Sequence, residues 1–264
     1  MTREIPIYQI DAFTSRVFAG NPAAVCPLET WLPDDVLQGI AAENNLAETA
    51  YLIVRDDGDY DLRWFTPAVE VDLCGHATLA SAYVIDKELE PGRGHVRFHT
   101  RSGPLEVTRD GDVYALDFPS HPPEPVSPDR AEAVAEALGS RPMEVRQAKM
   151  FLALLADQQA VLAAEPDLQR VKDLLGDGLI ITAPGEDCDF VSRYFAPHAG
   201  IPEDPVTGSA HCRLTPFWAR RLDKAQLTAR QVSRRGGDLQ VEDLGERVKI
   251  AGRCAYYMSG RITL

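Results

Sequence analysis

The chain has 264 residues, 45% of them hydrophobic, with a formal net charge of −13 and a pI near 4.9. That length holds one large or two ordinary domains. The acidic balance excludes a general nucleic-acid or anionic-membrane surface and leaves room for a local cationic site that takes a small acidic substrate.

In chain order, residues 5–13 read as a strand from their partly alternating apolar side chains. Residues 18–26 join a Gly-Asn-Pro turn to a short strand. A helix is predicted over 33–43: Pro33 and two aspartates occupy its first turn, Val36, Leu37 and Ile40 share a face, and Asn44 and Asn45 stop it. Residues 47–54 form a predicted strand that sets Glu48 on one face with Ala50, Leu52 and Val54. After an Asp56-Asp-Gly-Asp59 turn comes a strand at Tyr60–Phe65. The run from His76 to Ile85 carries no charge and is apolar or small all round, the pattern of a helix buried on every side. Residues 96–108 and 113–118 read as strands around an Asp110-Gly111 turn. The stretch 120–128, rich in proline, is the candidate linker. Beyond it are predicted a helix at 129–138, strands at 144–155 and 159–162, a helix at 166–175 and a strand at 179–183. Residues 189–195 lead into a second glycine segment, and 239–241, 247–251 and 256–263 are strand-like.

The two glycine segments are Asp72-Leu-Cys-Gly-His-Ala-Thr78 and Asp204-Pro-Val-Thr-Gly-Ser-Ala-His-Cys212. Upstream of them, Arg63-Trp-Phe-Thr-Pro67 parallels Arg193-Tyr-Phe-Ala-Pro197. One such pattern per half points to two copies of one domain. A glycine at a helix start lets the chain turn tightly and leaves the first N–H groups open to a ligand; packing of two buried helices accounts for the same glycines.

Glu48 on a mostly apolar strand face would be partly desolvated, a setting suited to proton transfer near neutral pH. At a strand end it can equally reach water. His76 at a helix start would be held neutral by the dipole, either as a proton-passing group or as a plain cap. Asp204 stands just ahead of the second glycine helix, where N-capping or turn formation accounts for it. Gly75, Thr207, Gly208 and Ser209 offer N–H and hydroxyl donors for a substrate carboxylate. Cys74, His76, His211 and Cys212 lack a standard zinc-chelate spacing, and neither a Walker loop nor a GxGxxG motif occurs. Five scattered cysteines without a CxxC pair, and an N-terminus without an apolar signal core, fit a reducing cytoplasm. No run approaches the about 18 apolar residues of a membrane span.

Tyr8-Gln-Ile-Asp-Ala-Phe-Thr14, Phe18-Ala-Gly-Asn-Pro-Ala-Ala-Val25, Asn45-Leu-Ala-Glu-Thr-Ala-Tyr51, Arg63–Pro67, Asp72–Thr78 and Glu203-Asp-Pro-Val-Thr-Gly-Ser-Ala210 together resemble the PhzF family of phenazine-biosynthesis isomerases, within the diaminopimelate epimerase-like superfamily. The resemblance implies an α+β fold of two pseudo-symmetric domains, each a barrel-like, mostly antiparallel sheet around a central helix, with the active site in the cleft between them. The expected domains are 1–118 and 119–264, with the strand near 256–264 packing on the first. Catalysis without a metal or organic cofactor and a homodimer are implied as well. Carried over by position, Glu48 matches the general acid/base, His76 and Asp204 its assistants, and Ser209 with the glycine backbones the substrate-holding set. Relatives that racemise amino acids use two cysteines, one at each glycine helix. Here Cys74 fills the first place, but Pro205-Val206 offers no thiol at the second. The expectation is a cytoplasmic isomerase acting on a small carboxylate-bearing metabolite, with no nucleic-acid or membrane partner. An epimerase or racemase pairing Glu48 with Cys74, or a non-catalytic small-molecule binding protein of the same fold, are the alternatives.

Overall fold

Extended segments dominate the chain: some alternate buried and exposed residues, as 226–231 do, and others are apolar and buried throughout, as 151–154 are. The computed structural model describes residues 3–264. The chain divides into one unit of Met1–Asp117 with Ala251–Leu264 and a second of Phe118–Ile250.

The first unit contains β1 (Glu4–Ala12), β2 (Asn21–Pro27), α1 (Asp34–Asn44), β3 (Glu48–Val54), β4 (Tyr60–Phe65), β5 (Glu70–Val71), α2 (Gly75–Val84, continued as a wider turn through Ile85–Leu89), β6 (His95–Thr100), β7 (Gly103–Asp110) and β8 (Val113–Pro119). β1 pairs antiparallel with β2, β2 runs parallel to β3, β3 antiparallel to β4, and β4 pairs antiparallel with β5 and parallel with β6. The two parallel steps are bridged by α1 and α2, as such crossovers require. Asn45 ends α1 in the left-handed conformation, φ 49°, which asparagine tolerates. α1 lays Leu37, Ile40 and Ala41 on Ala24, Cys26, Tyr51 and Phe65. The segment expected as one strand run over 96–108 is broken at residues 101–102, where Gly103 takes φ 92°.

α2 buries every residue from His76 to Ala82. It packs on β1, β2, β3 and β7. Its hydroxyls are satisfied within the helix: Thr78 Oγ1 donates to the Cys74 carbonyl at 2.5 Å and Ser81 Oγ to that of Ala77 at 2.7 Å.

The second unit contains β9 (Glu124–Pro125), α3 (Pro128–Leu138), β10 (Glu144–Gln147), β11 (Phe151–Leu154), α4 (Gln158–Ala163), α5 (Leu168–Asp173), β12 (Leu179–Pro184), β13 (Phe190–Ala196), β14 (Ile201–Asp204), α6 (Gly208–Leu222), β15 (Gln226–Gln231), β16 (Gly237–Asp243) and β17 (Arg247–Gly252). Its pairing repeats that of the first unit: β10 antiparallel to β11, β11 parallel to β12, β12 antiparallel to β13, and β13 antiparallel to β14 and parallel to β15. α6 holds Pro216 in its interior, and the Cys212 carbonyl that this proline cannot serve accepts from the His121 N–H at 3.0 Å. The candidate linker is therefore packed chain, and β9 within it pairs with β10.

Residues 159–162, read as a strand, are helical. Asp157 caps α4 by accepting from the Ala160 N–H at 2.8 Å, and a short apolar run carries no period strong enough to oppose that cap. β14 and β15 were not foreseen. The last strand, β18 (Cys254–Thr263), returns to the first unit and pairs antiparallel along the whole of β1.

Candidate active site

In the first unit the structure gathers Glu48, Cys74, Gly75 and His76. β3 delivers Glu48 at its first residue, and Cys74 precedes the first turn of α2, extended at φ −144°. Glu48 Oε2 lies 3.0 Å from His76 Nε2, with side chains 13% and 6% exposed. The two groups meet as an ion pair. On the other side of the ring, Asn21 Nδ2 lies 3.2 Å and Cys74 Sγ 3.5 Å from Nδ1. The first N–H groups of α2 have no carbonyl partner within the helix.

Burial penalises the His76 imidazolium, but the Glu48 carboxylate 3.0 Å away outweighs it, and its pKa stands well above the ordinary histidine value. The helix-dipole expectation of a neutral ring is thereby overridden by a facing carboxylate. Burial, then the Glu48 charge, pushes the Cys74 thiol up, against the pull of His76. All five cysteines are free thiols.

In the second unit the structure gathers Asp204, Thr207, Gly208 and Ser209. Asp204 ends β14, and Thr207, not Asp204, occupies the N-cap of α6. The Thr207 hydroxyl donates to the Asp204 carboxylate. Gln231, fully buried on β15, fastens this turn: its Nε2 donates to the Asp204 carbonyl at 2.7 Å and its Oε1 accepts from the Thr207 N–H at 2.9 Å. The Ser209 carbonyl accepts from Arg213 Nη1 at 2.7 Å. His211, one turn into α6, holds its Nδ1 2.7 Å from the Thr207 carbonyl, and burial pushes its pKa down to about 4.

Asn21 and Gln231 are the positioning groups that sequence reasoning missed. Asn21 lies in the Gly-Asn-Pro stretch and was read only as a turn, whereas Gln231 sits on an unforeseen strand and gives no local signal. Among the described residues, two groups of side chains bring metal-ligating atoms within 4.8 Å of one another: Glu48, Cys74 and His76, and the more exposed Asp57, Asp59 and His99.

Residues 10–260 match the family model described as phenazine biosynthesis-like protein. An uncharacterised isomerase of Pseudomonas aeruginosa is 52% identical over 262 residues, covering 99% of this chain and 100% of its own. A crystal structure of a PhzF-family phenazine biosynthesis protein from Enterococcus faecalis superposes with a TM-score of 0.95 at 44% identity, covering 99% of this chain and 100% of that one. A hydroxyproline epimerase from Agrobacterium vitis, at 13% identity and a TM-score of 0.61 over 99% of this chain and 93% of its own, shares the fold alone. The duplicated sheet topology and the glycine-led helices thus have their place: the chain belongs to the phenazine biosynthesis-like, or PhzF, family and is an isomerase of that family.

Proposed function

We propose that the chain moves a proton between two carbons of a small carboxylate-bearing metabolite, with Glu48 as general acid/base. The observation that carries this reading is the 3.0 Å contact of Glu48 with His76 at the first turn of α2, both side chains being withdrawn from solvent. The Glu48 carboxylate takes the proton as a C–H bond breaks and its electron pair passes into the substrate's conjugated system. The same carboxylate then returns the proton at another carbon. His76 exchanges charge with Glu48 through the step, and Asn21 fixes its ring. Gly75, at the N-terminus of α2, receives the substrate's carboxylate or developing negative charge. Asp204, the Ser209 hydroxyl and the backbone of Thr207 and Gly208 complete the substrate-holding set in this reading.

Pairing Glu48 with Cys74 as two bases of an epimerase is favoured only by the nearness of the thiol. Burial and the Glu48 charge raise the pKa of that thiol, so in such a pair it would be the proton donor opposite Glu48. The chain's own groups suffice for the proposed chemistry in a cytoplasmic enzyme, and a homodimer remains part of the proposal.

The test is proton NMR in heavy water with a dihydro-hydroxyanthranilate and a panel of amino and hydroxy acids. Glu48→Gln should lower rearrangement or label incorporation by about 10²–10⁴-fold while leaving the circular dichroism unchanged. Undiminished turnover in that variant removes Glu48 from the role, and label confined to a stereocentre replaces double-bond migration with epimerisation.

A further inference from the structure

The C-terminal half of α6 forms one side of a cleft of about 140 Å³, with β10 and the chain just before β9 on the other. Three arginines line it, Arg146 from β10 and Arg220 and Arg221 from α6, among Pro123, Pro216 and Phe217. All six residues lie in the second unit. About 18 Å of helix separates Arg220 from Gly208, so the cleft is remote from the turn that holds Asp204 and Thr207.

Three cations gathered at one point repel one another unless anions offset them. Among the described residues a single carboxylate is paired with them. Glu144 accepts from Arg146 Nε at 2.5 Å and from Arg221 Nη1 at 3.0 Å, so both of its oxygens are engaged. Arg220 has no hydrogen bond or ion pair among the described residues. Phe217, 7% exposed, lies beneath both paired guanidinium groups, 5.0 Å from that of Arg221 and 5.8 Å from that of Arg146. Arg146 Nη1 also reaches the Pro123 carbonyl at 3.3 Å. Two of the three guanidinium groups are thus fixed before any ligand arrives, which lowers the entropy cost of binding one. One carboxylate against three guanidinium groups leaves two positive charges here, in a chain whose net charge is −13.

We infer that this cleft is a second ligand site, which takes the phosphate group of a small phosphate monoester between Arg146, Arg220 and Arg221. Three planar guanidinium forks suit a group with three peripheral oxygens, whereas a carboxylate offers two. A phosphate monoester carries a charge of about −1.5 to −2 near pH 7, which matches the surplus left by Glu144. Pro123 and Pro216 give apolar walls without N–H donors, against which the carbon part of the ester lies. An extended polyanion is a poor fit, because the cleft is small and the chain as a whole is strongly acidic. The site takes no part in the proton transfer proposed above and does not rest on it.

The test is calorimetric titration of the full-length protein with phenyl phosphate, inorganic phosphate and succinate at about 50 mM salt, where screening is weak. Phenyl phosphate should bind at one equivalent and about threefold or more tighter than inorganic phosphate, with succinate weaker than either. Arg220→Ala should weaken phenyl phosphate about tenfold, the loss of one charge-assisted contact. Arg220→Glu should abolish its binding, with circular dichroism unchanged in both variants. Arg170→Ala removes an exposed arginine elsewhere in the same unit and should leave the affinity unaltered. No saturable binding of phenyl phosphate overturns the proposal, as does binding undiminished in Arg220→Glu, which places the anion elsewhere. An equal loss in Arg170→Ala reduces the effect to net charge and overturns the site. Succinate bound more tightly, or inorganic phosphate bound as tightly as the ester, overturns the assigned ligand class.

Discussion

Two buried histidines stand in the opening turns of the two glycine-led helices and are driven in opposite directions. His76 faces Glu48 and is held well above the ordinary value, whereas His211 faces only a backbone carbonyl and falls to about 4. The pH consequences have opposite sign. For His211 the folded value lies below the unfolded one, so its stabilising contribution is whole above about pH 6.5 and is lost as pH falls toward about 4. A shift of that size corresponds to up to about 3 kcal/mol. For His76 the folded value lies above the unfolded one, so its contribution is whole below about pH 6.5 and declines as pH rises through the folded value. Urea midpoints from pH 4 to 9 should therefore lose their acid-side fall in His211→Asn and their alkaline-side fall in His76→Asn; unchanged profiles would refute the assignment. Glu48 and His76 were legible in the sequence because a strand face and a helix start each mark one residue. Their pairing was not, since it depends on β3 and α2 being packed together.

Among the elements, the Arg-aromatic-Phe repeat acquires a physical meaning. Arg63 grips Glu70 with both nitrogens, at 2.7 and 2.8 Å, and lies over Phe65. Arg193 does the same to Glu203, at 2.7 and 3.0 Å, and lies over Phe195. Arg193 also donates to the carbonyls of Val161 and Ala164, closing the end of α4 that has no turn to follow it. Arg193→Ala should therefore cost about 2–4 kcal/mol, because it strands a half-buried carboxylate and two helix-end carbonyls. Arg170→Ala, at an exposed pair with Glu136, should stay within about 1 kcal/mol. Thermal melts of the two variants check the contrast, and equal shifts would refute it. The elements the sequence hid have local causes. α4 is six residues long and is decided by one aspartate cap. β15 turns only Leu227, Ala229 and Gln231 inward, too weak an alternation to stand out among charged neighbours.

Across the whole molecule, the two-copy organisation was the most legible feature, because the repeated motifs keep their order and carry the same strand pairing in each half. The first unit is interrupted after Asp117 and resumes at Ala251. β18 pairs with β1 from Glu4 and Thr263 to Ala12 and Cys254, and Arg3 and Leu264 exchange backbone hydrogen bonds at 3.0 and 2.9 Å. A chain ending at Gly252 should lose hydrogen-exchange protection in β1 and β2 while β11, β12 and β13 stay protected; protection retained in β1 would show that β18 is dispensable. The same closure sets an order on synthesis. The ribosome makes β1 well before its partner β18, with residues 118–250 emerging in between. The second unit can finish folding while β1 still presents a bare edge, so the half of the protein that carries Glu48 is started before the second unit and completed after it.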